Sequence, residues 1–132
     1  MQRPKILYVD DHDLVLFTVK QLLESEGWIV DACRDSAAAL KKIAGDAHYD
    51  LLIFDEHLPG VSGLELATRA RGSMHLRPVP IVMFTAAPCE DEARERGVNA
   101  FLRKPGQLGE LVATCRELLQ TKPLLGVSAE AG

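Results

Sequence analysis

The sequence lacks the features that mark membrane and exported proteins. No apolar run reaches the ~18 residues that a membrane-spanning helix requires. The N-terminal stretch MQRPKILYVDDH contains no apolar signal-peptide core followed by a small-residue cleavage site. These two absences predict a cytoplasmic protein with no membrane contact.

Cysteine is scarce, and acidic residues outnumber basic ones. The three cysteines, Cys33, Cys89 and Cys115, are widely spaced and form no CxxC pair. We therefore expect reduced thiols rather than a disulfide framework or a zinc site. The chain has 15 Lys and Arg against 19 Asp and Glu, a formal net charge of −4. Because nucleic-acid-binding faces are usually basic, this balance argues against direct binding of nucleic acid by this domain.

What the sequence does contain is typical of one soluble globular domain. Its 132 residues are 47% hydrophobic and 26% charged, and a chain of this length can bury a substantial core. It has no internal repeat and no low-complexity segment. Residues 121–132 show no clear periodicity, and we interpret them as a C-terminal tail or the start of a linker.

Short apolar runs alternate with helical patterns along the chain. Several runs are continuous rather than interrupted by polar residues, which predicts strands buried on both faces of a parallel sheet. They occupy residues 6–9, 28–30, 51–54, 81–84 and 100–102. Five strands alternating with five helices indicate an α/β fold of βαβ units, with right-handed crossovers and helices on both faces.

The strongest helical pattern covers residues 107–120, where apolar residues recur at i, i+3, i+4, i+7, i+10 and i+11 from Leu108. A second pattern covers residues 13–26. Weaker patterns predict helices at 36–45, 63–71 and 88–96. Glycines stand where four of the helices should end, at Gly27, Gly45, Gly72 and Gly97.

Chemically useful side chains stand at the ends of four strands. They are Asp10 and Asp11 after the first strand, Asp55 after the third, Thr85 after the fourth and Lys104 after the fifth. In an open α/β sheet, binding sites form at the carboxyl ends of the strands, so we expect these groups at one edge of the sheet. The second strand ends in Asp31 and Ala32, to which we assign no role.

These residue types suit phosphoryl chemistry when they lie together. Neighbouring carboxylates repel one another unless a cation lies between them, and a donor set of oxygens alone suits Mg²⁺. Lys104 offers a compact positive charge to a phosphoryl oxygen or a carboxylate, and the hydroxyl of Thr85 can donate a hydrogen bond. Asp55 is then placed to act as a nucleophile that forms an aspartyl phosphate.

Each of these residues also has an ordinary structural explanation. A lone Asp after a strand is more often a turn or cap residue, and Asp10 and Asp11 precede a helix whose N-terminus favours acidic side chains. Thr85 alone is an unremarkable end to a strand, and Lys104 alone is an ordinary solvated lysine. Four strand ends that supply compatible groups are much less probable by chance, which favours the functional interpretation.

In combination, these segments resemble the receiver domain of the response regulators of two-component signalling. The resemblance covers about residues 3–120 and rests on YVDDH at 8–12, LLIFDEHLPGVSGLEL at 51–66, IVMFTA at 81–86 and FLRKP at 101–105. It implies a flavodoxin-like, doubly wound (βα)5 sandwich similar to the chemotaxis regulators, whose parallel sheet has the strand order 2-1-3-4-5.

The resemblance assigns a metal site and a phosphorylation site. Asp55 would be the phosphoacceptor, Asp11 a direct Mg²⁺ ligand and Asp10 its partner through water. The main-chain carbonyl of His57 would be the third protein ligand. The implied magnesium site thus consists of Asp10, Asp11, Asp55 and His57.

The resemblance also assigns the groups that respond to phosphorylation. Thr85 and Lys104 would contact the phosphoryl group, and Phe101 matches the family's switch aromatic. The Lys104–Pro105 bond is commonly cis in this family, although cis is otherwise a minority state.

The implied function is Mg²⁺-dependent acceptance of a phosphoryl group from a histidine kinase or a phosphotransfer protein. Acceptance would switch the face formed by the fourth helix, fifth strand and fifth helix. The domain would be a signalling element rather than an enzyme, apart from self-phosphotransfer and self-dephosphorylation. The resemblance leaves open an output domain or partner protein, and a homodimer.

Several residues depart from the family's common pattern. Glu56 follows the phosphoacceptor where an apolar residue is frequent, and His57 occupies a position that tunes dephosphorylation in the family. Ala87 replaces a residue that is often polar. Thr85 and Lys104 are 19 positions apart, fewer than is usual, which shortens the fourth-helix region and leaves the choice of partner open.

Three other interpretations compete with this one. A flavodoxin-like cofactor binder would need a Ser-, Thr- or Gly-rich phosphate loop where Asp10 and Asp11 stand. A phosphatase of the haloacid-dehalogenase type usually has a second Asp where His57 stands. A degenerate receiver would serve only as a phosphorylation-independent protein-interaction module, which the intact set of acidic, hydroxyl and lysine residues argues against.

Overall fold

The computed structural model describes residues 2–121 and contains one five-stranded sheet flanked by helices. The strands are β1 (Lys5–Val9), β2 (Ile29–Cys33), β3 (Leu51–Phe54), β4 (Ile81–Thr85) and β5 (Ala100–Arg103). The helices are α1 (Asp13–Glu24), α2 (Ser36–Ala44), α3 (Gly63–Arg71), α4 (Glu90–Glu95) and α5 (Leu111–Thr121). All strand pairings are parallel, and the order β2-β1-β3-β4-β5 confirms the predicted fold.

The core consists of two apolar layers, one on each face of the sheet. Successive residues of a strand point to opposite faces, so Ile6 and Tyr8 pack in the layer that contains α1 and α5. Leu7 and Val9 pack in the layer that contains α2 and α3. Both layers need apolar strand residues, which explains why the strands appear in the sequence as continuous apolar runs.

Side-chain caps define where three of the helices begin. His12 accepts from the main-chain N–H of Val15 at the start of α1, Asp35 caps α2 and Ser62 caps α3. At the carboxyl ends, the glycines stand where predicted: Gly45 and Gly72 are C-caps, while Gly27 and Gly97 have φ angles of 91° and 89° just beyond α1 and α4.

Most element boundaries differ from the sequence prediction by one or two residues, and the differences at β2, α4 and the last helix have structural consequences. The second strand extends to Cys33, so Asp31 lies inside it and not at its end; there Asp31 accepts hydrogen bonds from the side chains of Tyr49 and Lys42. Helix α4 covers Glu90–Glu95 rather than 88–96, and its N-cap, Cys89, makes no side-chain cap bond. The last helix begins with a 3-10 turn, Leu108–Glu110.

Other expectations concern single features of the chain. The Lys104–Pro105 peptide bond is cis, as predicted. Cys33, Cys89 and Cys115 are free thiols. Among the described residues, no helix has both the length and the apolar composition needed to cross a membrane. The predicted tail begins at residue 121, the last residue of α5, and its remainder lies outside the described residues.

Candidate functional site

Three carboxylates meet at the carboxyl edge of the sheet. Asp10 and Asp11 follow β1, and Asp55 follows the neighbouring strand β3, whose Phe54 is in register with Val9. One carboxylate oxygen from each aspartate lies within 4.8 Å of the other two. Asp10 is fully buried and Asp55 is buried, while Asp11 is exposed to solvent.

Lys104 reaches this acidic cluster from β5. Its Nζ lies 2.5 Å from Oδ2 of Asp10 and 3.2 Å from Oδ2 of Asp55. The same ammonium lies 5.5 Å from the ring centroid of Phe84, a favourable distance for a cation above an aromatic face. Because β4 and β3 separate β5 from β1, only the folded sheet brings Lys104 to Asp10.

The donor set of this cluster fits Mg²⁺. Three carboxylates and one ammonium leave a formal charge of −3 + 1 = −2 at the edge of the sheet. Oxygen-only donors suit Mg²⁺, which keeps several of its waters and uses one or two carboxylates. The exposure of Asp11 leaves the cluster open to a hydrated ion.

Asp10 is held by donors from its own strand and from the start of α1. Its Oδ1 accepts from the main-chain N–H of His12 at 3.0 Å, and its Oδ2 accepts from the hydroxyl of Tyr8 at 3.0 Å. Burial, with the nearby charge of Asp10 in addition, raises the pKa of Tyr8 above its usual value, so this hydroxyl stays protonated and donates.

Sequence reasoning missed Tyr8, which appeared there only as one apolar residue of a strand. The signal that could have found it is the period of two along a strand, since residues 8 and 10 must point to the same face of the sheet. A tyrosine two positions before a buried aspartate therefore brings its hydroxyl towards that carboxylate.

Hydrogen bonds of Glu56 connect the two ends of the loop between Asp55 and α3. Glu56 donates its main-chain N–H to Oδ1 of Asp55 at 2.7 Å, and its carboxylate accepts from the main-chain N–H of Leu64 at 2.8 Å. The unusual acidic residue beside Asp55 therefore binds the N-terminal turn of α3, where a negative charge is favoured. A Cβ at Gly63 would lie 2.0 Å from the carbonyl oxygen of Asp55, so this close approach requires glycine.

Three other predicted residues, His57, Thr85 and Phe101, make no hydrogen bond to these carboxylates in the part of the chain that the structure describes. His57 is exposed in the loop between β3 and α3. Thr85 is the last residue of β4 and fully buried, and its Oγ1 accepts from the main-chain N–H of Ala87 at 3.2 Å. Phe101 lies in β5, where only 6% of it is exposed, in the same apolar layer as Ala93 of α4.

The structure thus brings together Asp10, Asp11, Asp55 and Lys104 and places Thr85 and Phe101 on the adjacent strands. Comparison with known protein families identifies the family that has this arrangement. The family model for the response regulator receiver domain matches residues 6–116. The chain belongs to the response regulator receiver domain family.

Curated relatives of this receiver domain include a chemotaxis protein and a polar-differentiation response regulator. The chemotaxis protein CheY of Pseudomonas aeruginosa is 32% identical over 104 residues, which cover 76% of this chain and 84% of CheY. The polar-differentiation response regulator DivK of Brucella ovis is 29% identical over 117 residues, which cover 86% of this chain and 94% of DivK. The chain is therefore a receiver domain of two-component signalling, a family of signalling proteins.

Solved structures agree with this assignment. A CheY-like receiver domain from Methanospirillum hungatei superposes with a TM-score of 0.84 at 27% identity, covering 92% of this chain and 97% of that chain. The response regulator TrrA of Thermotoga maritima, solved in complex with Mg²⁺ and BeF, superposes with a TM-score of 0.75 at 30% identity. That alignment covers 87% of this receiver domain and 98% of TrrA.

Proposed function

We propose that this receiver domain accepts a phosphoryl group on Asp55 from a phosphohistidine of a histidine kinase or phosphotransfer protein. The observation that carries the proposal is the position of Lys104, whose ammonium lies between the carboxylates of Asp10 and Asp55 beside the open carboxylate of Asp11. The complex of TrrA with Mg²⁺ and BeF supports it further.

In the transfer step, a carboxylate oxygen of Asp55 forms an O–P bond in line with the breaking P–N bond of the donor. The electron pair of that bond stays on the imidazole of the donor protein. Asp55 is ready for this role because its loop is anchored at Gly63 and its Oδ1 is oriented by the N–H of Glu56.

Asp11, Asp55 and the main-chain carbonyl of His57 would hold Mg²⁺, with Asp10 reaching it through water. When bound, the ion supplies positive charge that offsets the charge of the transferring phosphoryl group. Lys104 would leave Oδ2 of Asp55 for a phosphoryl oxygen, because the reacting oxygen of Asp55 becomes part of an ester-like bond and loses much of its charge.

The response to phosphorylation would begin at Thr85. Its hydroxyl would donate to the phosphoryl group. The main-chain carbonyl of Thr85 accepts from the N–H of Lys104 at 3.1 Å. Movement at Thr85 would be passed to β5, where Phe101 packs in the apolar layer with α4. The face built from α4, β5 and α5 would then shift between two populations that a partner protein distinguishes.

Intact-protein mass spectrometry after incubation with acetyl phosphate and Mg²⁺ tests this function. We expect one added phosphoryl group, which is absent in Asp55→Asn and absent when Mg²⁺ is chelated. The matched control is Asp91→Asn, which removes an exposed carboxylate on α4 and should leave the adduct intact. If neither acetyl phosphate nor beryllofluoride with Mg²⁺ modifies or binds the wild-type domain, it acts as a phosphorylation-independent interaction module instead.

A further inference from the structure

The hydrogen bond from Tyr8 to Asp10 has no role in the proposed phosphoryl transfer. Its side chain is fully buried, and its hydroxyl donates to Oδ2 of Asp10, the same oxygen that Lys104 contacts. Oδ1 of Asp10 is taken by the N–H of His12. Both oxygens of this carboxylate therefore have donors from within the chain, and one of them has two.

Sharing this oxygen links Tyr8 to Lys104. The ammonium of Lys104 divides its contacts between Asp10, at 2.5 Å, and Asp55, at 3.2 Å. A second donor on Oδ2 of Asp10 spreads the charge of that oxygen and weakens its attraction for the ammonium. The hydroxyl is uncharged, so it provides this compensation without adding positive charge where a divalent cation would bind.

We propose that Tyr8 is a positioning residue that holds Asp10 as an outer ligand and thereby keeps Lys104 available to Asp55. This inference rests on the proposed function, since Lys104 must leave its carboxylates when a phosphoryl group arrives. At that point Tyr8 still donates to Oδ2 of Asp10. The buried carboxylate then keeps a partner on each oxygen, which a buried charge requires.

The substitution Tyr8→Phe tests the role of the hydroxyl, because it removes the hydrogen bond to Asp10 and keeps the aromatic ring that packs in the core. Without the hydroxyl, Asp10 holds Lys104 more strongly, and less positive charge is left beside Asp55. Phosphorylation by acetyl phosphate at saturating Mg²⁺ should slow. Mg²⁺ should bind the unphosphorylated domain more tightly, because the carboxylates are less compensated. We expect each change to be about three- to tenfold, the effect of part of one hydrogen bond to a charged group.

The chain offers a matched control in its other tyrosine. Tyr49 is also buried, and its hydroxyl donates to Oδ2 of Asp31 at 2.6 Å, in a pair that is not part of the acidic cluster. Tyr49→Phe removes the same atom from the same kind of bond. It should lower stability comparably while leaving Mg²⁺ affinity and phosphorylation rate at wild-type values.

The two readouts are Mg²⁺ affinity by isothermal titration calorimetry and the phosphorylation rate by intact mass, both on the whole chain. Opposite movements in Tyr8→Phe, tighter metal binding with slower phosphorylation, support the inference, because a general loosening of the fold weakens both. Parallel weakening, or no change in either quantity, overturns it. Failure of the wild-type domain to bind Mg²⁺ and to be phosphorylated would instead refute the proposed function, and this inference with it.

A second measurement keeps the inference testable if Tyr8→Phe does not fold. The chain contains two tyrosines, so protein grown with 3-fluorotyrosine gives two ¹⁹F resonances, which Tyr49→Phe assigns. The Tyr8 resonance should shift with Mg²⁺ and again when beryllofluoride is added, while the Tyr49 resonance stays in place. A Tyr8 resonance that ignores both additions would overturn the inference.

Discussion

Lys104 lies 94 residues after Asp10 in the chain, yet its Nζ is 2.5 Å from Oδ2 of Asp10. The side chain of Lys104 is 14% exposed and that of Asp10 is fully buried, so the pair is shielded from solvent screening. When no divalent cation is bound, Lys104 is the basic residue that pairs with Asp10 and Asp55 among the residues that the structure describes. We therefore expect the stability of the domain without a bound cation to depend on Lys104.

Lys104→Gln should lower the free energy of unfolding by about 2 kcal/mol in the absence of Mg²⁺, because buried carboxylates lose a charged partner. Saturating Mg²⁺ should recover part of this loss, since a cation among the carboxylates replaces the missing charge. Urea unfolding with and without MgCl₂ measures both quantities. As a control, Lys20→Gln breaks the exposed pair of Lys20 with Glu24 and should cost less than ~0.5 kcal/mol. A Lys104→Gln loss that is the same with and without the metal would contradict this account.

Gly63 is the position where the loop after Asp55 tolerates no side chain. A Cβ there would lie 2.0 Å from the carbonyl oxygen of Asp55 and 2.7 Å from its carbonyl carbon, and neither backbone atom can rotate away. Gly63→Ala should destabilise the domain by roughly 3 kcal/mol and displace Asp55, so that phosphorylation falls as well. Gly109→Ala, with no heavy atom within 4 Å of the new Cβ, should be neutral or slightly stabilising. Equal stability of both variants in thermal unfolding would refute the close contact.

Arg71 ties the end of α3 to the segments before β4 and β5. Its guanidinium donates to the main-chain carbonyls of Gly97, Val79 and Arg77 and to the side-chain oxygen of Asn99. Burial lowers the pKa of Arg71, but a guanidinium remains charged at neutral pH. Arg71→Lys loses the planar fork that serves four acceptors, and we expect a cost of about 2 kcal/mol in urea unfolding.

A nearby arginine of α3 provides the comparison for Arg71. Arg69 pairs with Glu65 one helical turn earlier, and more than half of its side chain is exposed. Arg69→Lys should change the free energy of unfolding by less than ~0.5 kcal/mol. If the two substitutions cost the same, the hydrogen bonds of Arg71 contribute no more than a surface ion pair.

The three thiols should differ in reactivity. Burial raises the pKa of Cys115 to about 12 and that of Cys33 to about 11, from a usual 9.0. Both side chains are buried, whereas Cys89 is partly exposed at the start of α4. A thiol reagent at neutral pH should therefore label Cys89 first, and peptide mapping identifies the site. Faster labelling of Cys115 in the native state would contradict the packing of α5.

The same thiols predict a loss of stability at alkaline pH. In the unfolded chain they ionise near their usual pKa, while in the folded domain Cys33 and Cys115 hold their protons to higher pH. Their contribution to stability is thus complete below about pH 9 and is lost as pH rises from about 9 towards 12. Urea unfolding at several pH values should show this decline, and Cys115→Ala should make it shallower.

The sequence by itself determined the elements that depend on local pattern. Continuous apolar runs predicted all five strands, and the 3.6-residue period predicted all five helices, because burial on a sheet face or helix face repeats over neighbouring residues. It also named Asp10, Asp11, Asp55 and Lys104, since the carboxyl ends of parallel strands must share one edge. The predicted end of β2 was wrong. The strand continues through the polar Asp31, whose carboxylate is bound by the side chains of Tyr49 and Lys42, and both of these are distant in sequence.

Only the tertiary structure decided how these groups are partnered. The division of Lys104 between two carboxylates and the burial of Phe101 in the layer with α4 both depend on strand order and side-chain direction. The contacts of Arg71 with segments up to 28 residues away depend on how α3 lies against β4 and β5. A hydrogen bond between distant residues leaves no periodic trace in the chain, because it requires only that two side chains meet once the sheet has formed.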